Sequence, residues 1–332
     1  MNGDNRIMTT RRTSLCLLAA LALVSPLSHA QADSYPNKTV TLVVPFTAGQ
    51  SGDILARILA DGLGKLWGKG VVVDNKPGAG GALGSQLVMR APADGYTLLL
   101  SSSGPIAIAP NLNKNVGYDP RKDLTPIMNV AGVSQALVVP ASSRYKTVQE
   151  LIAGAKATPG KLNYGSGGSG STQHLTMELF KQRAGVSILH IPYKCSAPAY
   201  TDMMGGQLDA LFDSLPGAMP FAKAGQIRIL AVSTPKRDAA LPDVPTLAES
   251  GLAGFDVLGW LGVMAPAGLN PALRDKINDD LKKVLATESV RQSMGRIGMQ
   301  TVGGSADEFG KYIASEYTRW GHVIQTGGIK AD

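Results

Sequence analysis

The chain is poor in cysteine, histidine and aromatic residues, and each shortage closes off a class of chemistry. Of the two cysteines, Cys16 lies in an N-terminal segment that reads as a leader. Cys195 alone would remain after its removal, so no intramolecular disulfide is expected. His29 falls in the same segment; His174, His190 and His322 are far apart, with no His-x-x-x-His pair and no Cys-x-x-Cys, and this excludes a sequence-local metal set. Aromatic residues are 5% of the chain, too few for the stacking platforms of a carbohydrate cleft. No run of Lys and Arg is interleaved with aromatics, so nucleic acid is not an expected partner. A membrane span is also missing: the apolar run Leu15–Val24 is about ten residues long, against the roughly 20 that a bilayer requires.

What is present begins with export. Arg6, Arg11 and Arg12 precede that apolar run, and Ser28-His29-Ala30 supplies a small-x-small cleavage site, so residues 1–30 read as a signal peptide cleaved near Ala30. The segment carries three arginines and one aspartate, and its removal lowers the formal net charge from +7 to +5. A mildly basic exported protein suits an anionic partner. With 332 residues, 44% of them hydrophobic, the chain is long for one core and comfortable for two lobes.

A strand–turn–helix rhythm runs through most of it. Val40–Pro45 is a buried-type strand, and Ile54, Leu55, Ile58, Leu59, Leu63 and Leu66 recur with helical period, with Asp53 expected as the cap. Gly70–Asp74, the turn Gly78–Gly81, the helix Ala82–Arg90 and the strand Tyr96–Leu100 complete three such units, which predicts a parallel, doubly wound sheet. Asn111–Pro126 is polar and turn-rich and reads as a surface loop. Beyond it come a strand at Val133–Val139 and a helix from Thr147 to Ala157. The strand Val186–Ile191, a short helix around Tyr200–Met204 and the strands Gln207–Phe212 and Ile227–Ser233 follow. Phe255–Val263 reads as a long strand, and Pro271–Ala286, Glu288–Ile297 and a segment opened by the box Ser305–Glu308 read as helices. The economical layout is two α/β lobes. The chain crosses near Val133 and returns near Trp260, placing residues 34–133 and 256–330 in one lobe and 134–255 in the other.

Two glycine-bearing turns stand out as anion seats. In Leu162–Phe180, glycines at 165, 167, 168 and 170 let the backbone approach a ligand, and Ser171 or Thr172 can cap the helix that follows. Leu42–Leu66 has the same plan. Ser101 and Ser102, at a strand end, and Asp213, after Phe212, stand where open α/β sheets bind ligands. Alternatives for these residues are a satisfied serine turn and a local turn at the aspartate. Lys194, Lys223 and Arg228 fit solvated surface charge as well as anion contacts, and Cys195 fits a small structural residue better than a nucleophile. The spacing Gly165-x-Gly167-x-x-Gly170 matches a dinucleotide fingerprint, but no acid stands about 20 residues on, where His190 and Ile191 lie. Gly-x-Ser-x-Gly is absent around Ser166, Ser169 and Ser171, which argues against a serine hydrolase.

Several motifs, in order, carry a resemblance. They include Tyr35-Pro36-Asn37-Lys38, Val43-Val44-Pro45-Phe46 with Gly49, Asp74-Asn75-Lys76-Pro77-Gly78, Asp94-Gly95-Tyr96, Pro159-Gly160-Lys161-Leu162-Asn163-Tyr164, Gly170-Ser171-Thr172-Gln173-His174, His190-Ile191-Pro192-Tyr193-Lys194 and Leu241-Pro242-Asp243-Val244-Pro245. Across Tyr35 to Ile329 the sequence resembles the Bug family, the extracytoplasmic solute receptors of tripartite tricarboxylate transporters. The resemblance implies a type II periplasmic binding protein fold: two α/β lobes, two crossover segments and closure around a solute. It implies a periplasmic, non-enzymatic, monomeric receptor without cofactor that captures a small organic carboxylate (a di- or tricarboxylate, an aromatic acid or an amino acid) and delivers it to membrane permease subunits. A sensor subunit signalling to a membrane kinase and an exported hydrolase of a small acid are the competing readings. Carried onto this chain, the ligand loops are Phe46–Gly52, with Phe46, Thr47, Ala48, Gly49 and Ser51, and Ser166–Thr172, with Ser166, Gly170, Ser171 and Thr172; Ser102 and Asp213 complete the expected site. The chain departs from the family pattern at Thr47, where proline is common, at Gln50, where a second glycine is usual, and at Cys195, which replaces a glycine.

Overall fold

The computed structural model describes residues 35–113 and 115–330; the expected signal peptide lies outside them. Its first strands and helices are β1 (Val40–Val44), α1 (Ser51–Trp67), β2 (Val71–Asn75), α2 (Ala82–Met89) and β3 (Thr97–Ser102). As expected for βα units, β1 pairs in parallel with both β2 and β3. The next strand departs from expectation. β4 runs unbroken over Leu124–Pro140, 17 residues, and claims the end of the segment read as a surface loop. That segment also holds helical turns at Ala109–Leu112 and Pro120–Asp123. Pro126, the last residue of that segment, favours a turn by its local chemistry. In the fold it lies beside a register shift of a strand buried along nearly its whole length.

From there the chain forms α3 (Val148–Ala157), β5 (Asn163–Ser166), α4 (Thr172–Ala184), β6 (Leu189–Pro192), α5 (Ser196–Met204), β7 (Ala210–Ser214), α6 (Leu215–Lys223) and β8 (Ile227–Val232). The last elements are β9 (Leu258–Pro266), α7 (Pro271–Ala286), α8 (Glu288–Arg296), β10 (Met299–Gly303) and α9 (Ala306–Gly327). Helix α6 and strand β10 had no sequence expectation. Pro216 and Pro220 mask the helical period of α6, and β10 is a short strand exposed over much of its length that pairs only through β4.

The sheet order is β2-β1-β3-β9-β4-β7-β5-β6, with β8 and β10 also on β4. β4 joins its two halves. Residues up to Ser134 pair with β9 and β10, and from Gln135 onward they pair with β7 and β8. Both neighbours β9 and β7 run antiparallel to β4, so the sheet is mixed although its outer strands are parallel. One core gathers Leu42, Leu55, Val130 and Ile277 under the first half; another gathers Leu137, Phe180, Phe212 and Leu230 under the second. Helix α9, whose cap is the expected capping box at Ser305 and Glu308, packs Phe309 on Trp260 and further along places Trp320 and Ile324 in the second core. The arrangement is a two-lobe α/β fold with the β4 and β9 crossings side by side at its waist.

Candidate functional site

The carboxyl ends of the strands from both halves face one cavity of about 220 Å³. From the first half it is lined by Phe46, Thr47, Ala48, Gly49, Gln50 and Ser51, and by Ser102 at the end of β3. Opposite stand Ser171, Thr172, Gln173 and the turn from Lys194 to Ala197, with Asp213 at the end of β7. Val133, Gln135 and Trp260, from the crossing strands, form the floor.

The loop between β1 and α1 is held by its own chain. Gly49 takes a φ of +84°, and its N–H donates to Asp53 Oδ2 at 2.9 Å. Thr47 N–H donates to Gln50 Oε1 at 3.2 Å, and Asn75 Nδ2 donates to the Phe46 carbonyl at 3.0 Å. A Cβ at residue 52 would stand 2.6 Å from the Phe46 ring, so glycine there lets the ring close under the loop. Asp53 therefore does not cap α1. The N-cap is Gln50, whose side chain makes no capping bond, and Asp53 lies in the first turn, buried, with Arg57 at 2.9 Å. Burial alone would raise the Asp53 pKa, but the hydrogen bonds from Arg57, Gly49 and Asn75 outweigh it and hold the carboxyl below its usual value. With no side-chain cap, the first-turn N–H groups and the positive end of the α1 dipole remain for an acceptor brought into the cavity.

The second loop is organised differently. Ser171 Oγ accepts from His174 N–H at 3.2 Å and caps α4. Gly170 N–H donates to His174 Nδ1 at 3.2 Å, and Ser166 Oγ pairs with His190 Nε2 at 2.7 Å while accepting from Gly168 N–H. The two imidazoles stack at 4.1 Å behind the loop. Ser166 and Gly170 thus lie in the loop's support and are not among the residues lining the cavity, whereas Ser171 and Thr172 reach it. The loop leans on the first half: a Cβ at Gly80 would come within 3.0 Å of the Ser169 carbonyl.

Asp213 is buried, with Oδ1 accepting from Gln173 Nε2 at 3.1 Å and from Ser214 N–H at 2.8 Å. Burial raises its pKa, and the hydrogen bonds from Gln173 and Ser214 oppose that rise without cancelling it. The Tyr200 hydroxyl, raised well above its ordinary pKa by burial and then by Asp213, lies beside the carboxylate without completing a hydrogen bond of normal geometry. Of the two strand-end serines, Ser101 turns inward to Ser85 at 3.4 Å and Ser102 lines the cavity. Sequence reasoning missed Gln135, Gln173, Ser196, Tyr200 and Trp260. Gln173, next to Thr172 in the first turn of α4, carried a local signal; the others enter only because β4, α5 and β9 converge. Among the described residues no group of three or more His, Cys, Asp or Glu side chains could hold a metal ion.

Two sheet halves joined at a waist, with opposed loops facing one cavity, define a two-lobe α/β solute-binding protein. The receptor family of the tripartite tricarboxylate transporters matches residues 55–329, and this chain belongs to that family. It is similar to BugT of Bordetella pertussis, at 36% identity over 314 residues that cover 94% of this chain and 95% of that one. The solved structure of Rpa4515 of R. palustris with adipate is similar at 38% identity and a TM-score of 0.87, over 90% of this chain and all of that chain. The periplasmic binding protein BugD (33%, TM-score 0.84) likewise covers 90% of this chain and 100% of its own. MatC of Rhodopseudomonas palustris with bound malate (28%, TM-score 0.83) covers 87% and 100%. No helix of the described residues is long and apolar enough to cross a membrane.

Proposed function

We propose that this protein is a periplasmic receptor that captures a small organic carboxylate between two lobes, residues 34–133 with 256–330 and residues 134–255, by closure, and delivers it to a membrane permease. The observation that carries this reading is the pairing of an uncapped helix N-terminus at the Phe46–Ser51 loop with the hydroxyls of Ser171 and Thr172 across one cavity. A carboxylate oxygen bound there is held by backbone and hydroxyl donors without a guanidinium. Binding and closure need no bond chemistry. The related structures with adipate and malate support the carboxylate class.

Asp213 narrows the choice. A further anion brought within about 4 Å of its carboxylate would cost about 4 kcal/mol at an effective dielectric of 20. The ligand that fits carries one anchored carboxylate and presents a hydroxyl, an ammonium or an apolar segment to Asp213, which favours a hydroxy or amino acid, or an extended dicarboxylate, over a tricarboxylate.

A thermal-shift screen of the protein, freed of bound solute by unfolding and refolding, tests this against dicarboxylates, tricarboxylates, hydroxy acids, aromatic acids and amino acids. A solute at 100 times its dissociation constant adds about 2.7 kcal/mol of stability. A melting curve left unshifted by every compound of the panel would overturn the proposal, and chemical turnover of any compound would favour an enzyme. Uptake of the hit by cells with and without the gene separates transport from sensing.

A further inference from the structure

Gln50 stands where the family pattern has glycine, and its carboxamide is engaged at both ends. Oε1 accepts the Thr47 N–H of its own loop, and Nε2 donates to Ser196 Oγ at 3.3 Å, 146 residues away on the other sheet half. Ser196 is buried at the first position of α5, a helix whose N-cap, Cys195, offers no side-chain cap. This contact joins the β1–α1 loop to the first turn of α5, and Gln50 and Ser196 both line the cavity.

We propose that Gln50 is a positioning residue that clasps the two lobes through Ser196 and fixes the spacing of the opposed loops before any solute is bound. Glycine at this position offers no such link. The clasp makes the cavity's width a property of this chain's own side chains, so that selection among solutes by length follows from it. The proposal extends the receptor reading, but its test uses no ligand, and the two can fail separately.

Small-angle scattering and amide hydrogen exchange on solute-free wild type, Gln50→Met, Ser196→Ala and the double variant read it directly. Removing the Gln50–Ser196 hydrogen bond predicts about two- to tenfold faster exchange in residues 194–200 in either single variant, with a larger radius of gyration; Gln50→Met also frees the Thr47 N–H, so residues 194–200 carry the comparison. There the double variant should go no further than the singles, because each already breaks the link. A radius and exchange rates unchanged in Gln50→Met, or additive effects in the double variant, would overturn the clasp. Circular dichroism checks that each variant folds, and Ser196→Ala alone carries the same comparison if Gln50→Met does not.

Discussion

The two glycine-bearing loops look alike in sequence and differ in what they leave open. At α4 the helix caps itself: Ser171 satisfies His174 N–H, and a stacked histidine pair braces the turn from behind. At α1 the N-cap side chain is turned elsewhere, and the nearest carboxylate, Asp53, ties down Gly49 instead of the helix end. A glycine-rich turn before a helix thus marks a possible seat, while the partner of each N–H decides whether the seat is free. The first loop supplies backbone donors and the second supplies side-chain hydroxyls.

The sharpest way to break that contrast is to loosen the first loop. Asp53→Ala removes a buried carboxylate bonded to Gly49 and Arg57 and should cost about 2–3 kcal/mol in chemical denaturation; a loss under about 0.5 kcal/mol would show that the loop holds itself. On the other side of the cavity, Thr172→Val should weaken the solute identified by screening by about 1–3 kcal/mol in calorimetry, through an oxygen left unpaired on burial. Unchanged affinity would remove Thr172 from the site. Smaller still is the difference between caps. Ser171→Ala should lower stability by about 1 kcal/mol, the usual worth of an N-cap serine. An unchanged stability would mean that Ser171 does not cap α4 and that the two helix ends are alike after all.

The aspartates sharpen the comparison by sign. Asp53 has a lowered folded pKa, so its contribution is present above the ordinary carboxylate value and is lost as pH falls through the folded pKa. Asp213 has a raised folded pKa, so its contribution is full below the ordinary value and is lost as pH rises through the folded one. Unfolding followed from acid to neutral pH should therefore show Asp213→Asn gaining relative to wild type as pH rises, and Asp53→Asn losing. Parallel curves for Asp213→Asn and wild type would mean that the carboxylate is solvated in the folded protein.

Much of the fold could be read directly. The strand–turn–helix units of β1 to β3, the capping box of α9 and the glycine turns are local signals, set by periodicity and by hydrogen bonds within about four residues. β4 could not be read in full, because the polar, turn-rich segment that ends at Pro126 suggests a loop while burial between two sheet halves makes its last residues a strand. The residues Phe46–Ser51, Ser171, Thr172 and Asp213 were within reach because each follows a strand or opens a helix. The support role of Ser166 was not, since it depends on His190, brought beneath the loop from 24 residues away.

The sequence by itself determined the α/β rhythm, the two glycine turns and the family. Only the tertiary structure decided which helix end stays uncapped, how deeply Asp213 is buried, and that Gln50 meets Ser196. The reason is one of range: capping and periodicity act along a few residues, whereas desolvation and a contact across 146 residues exist only once β4 and β9 have brought the two halves together.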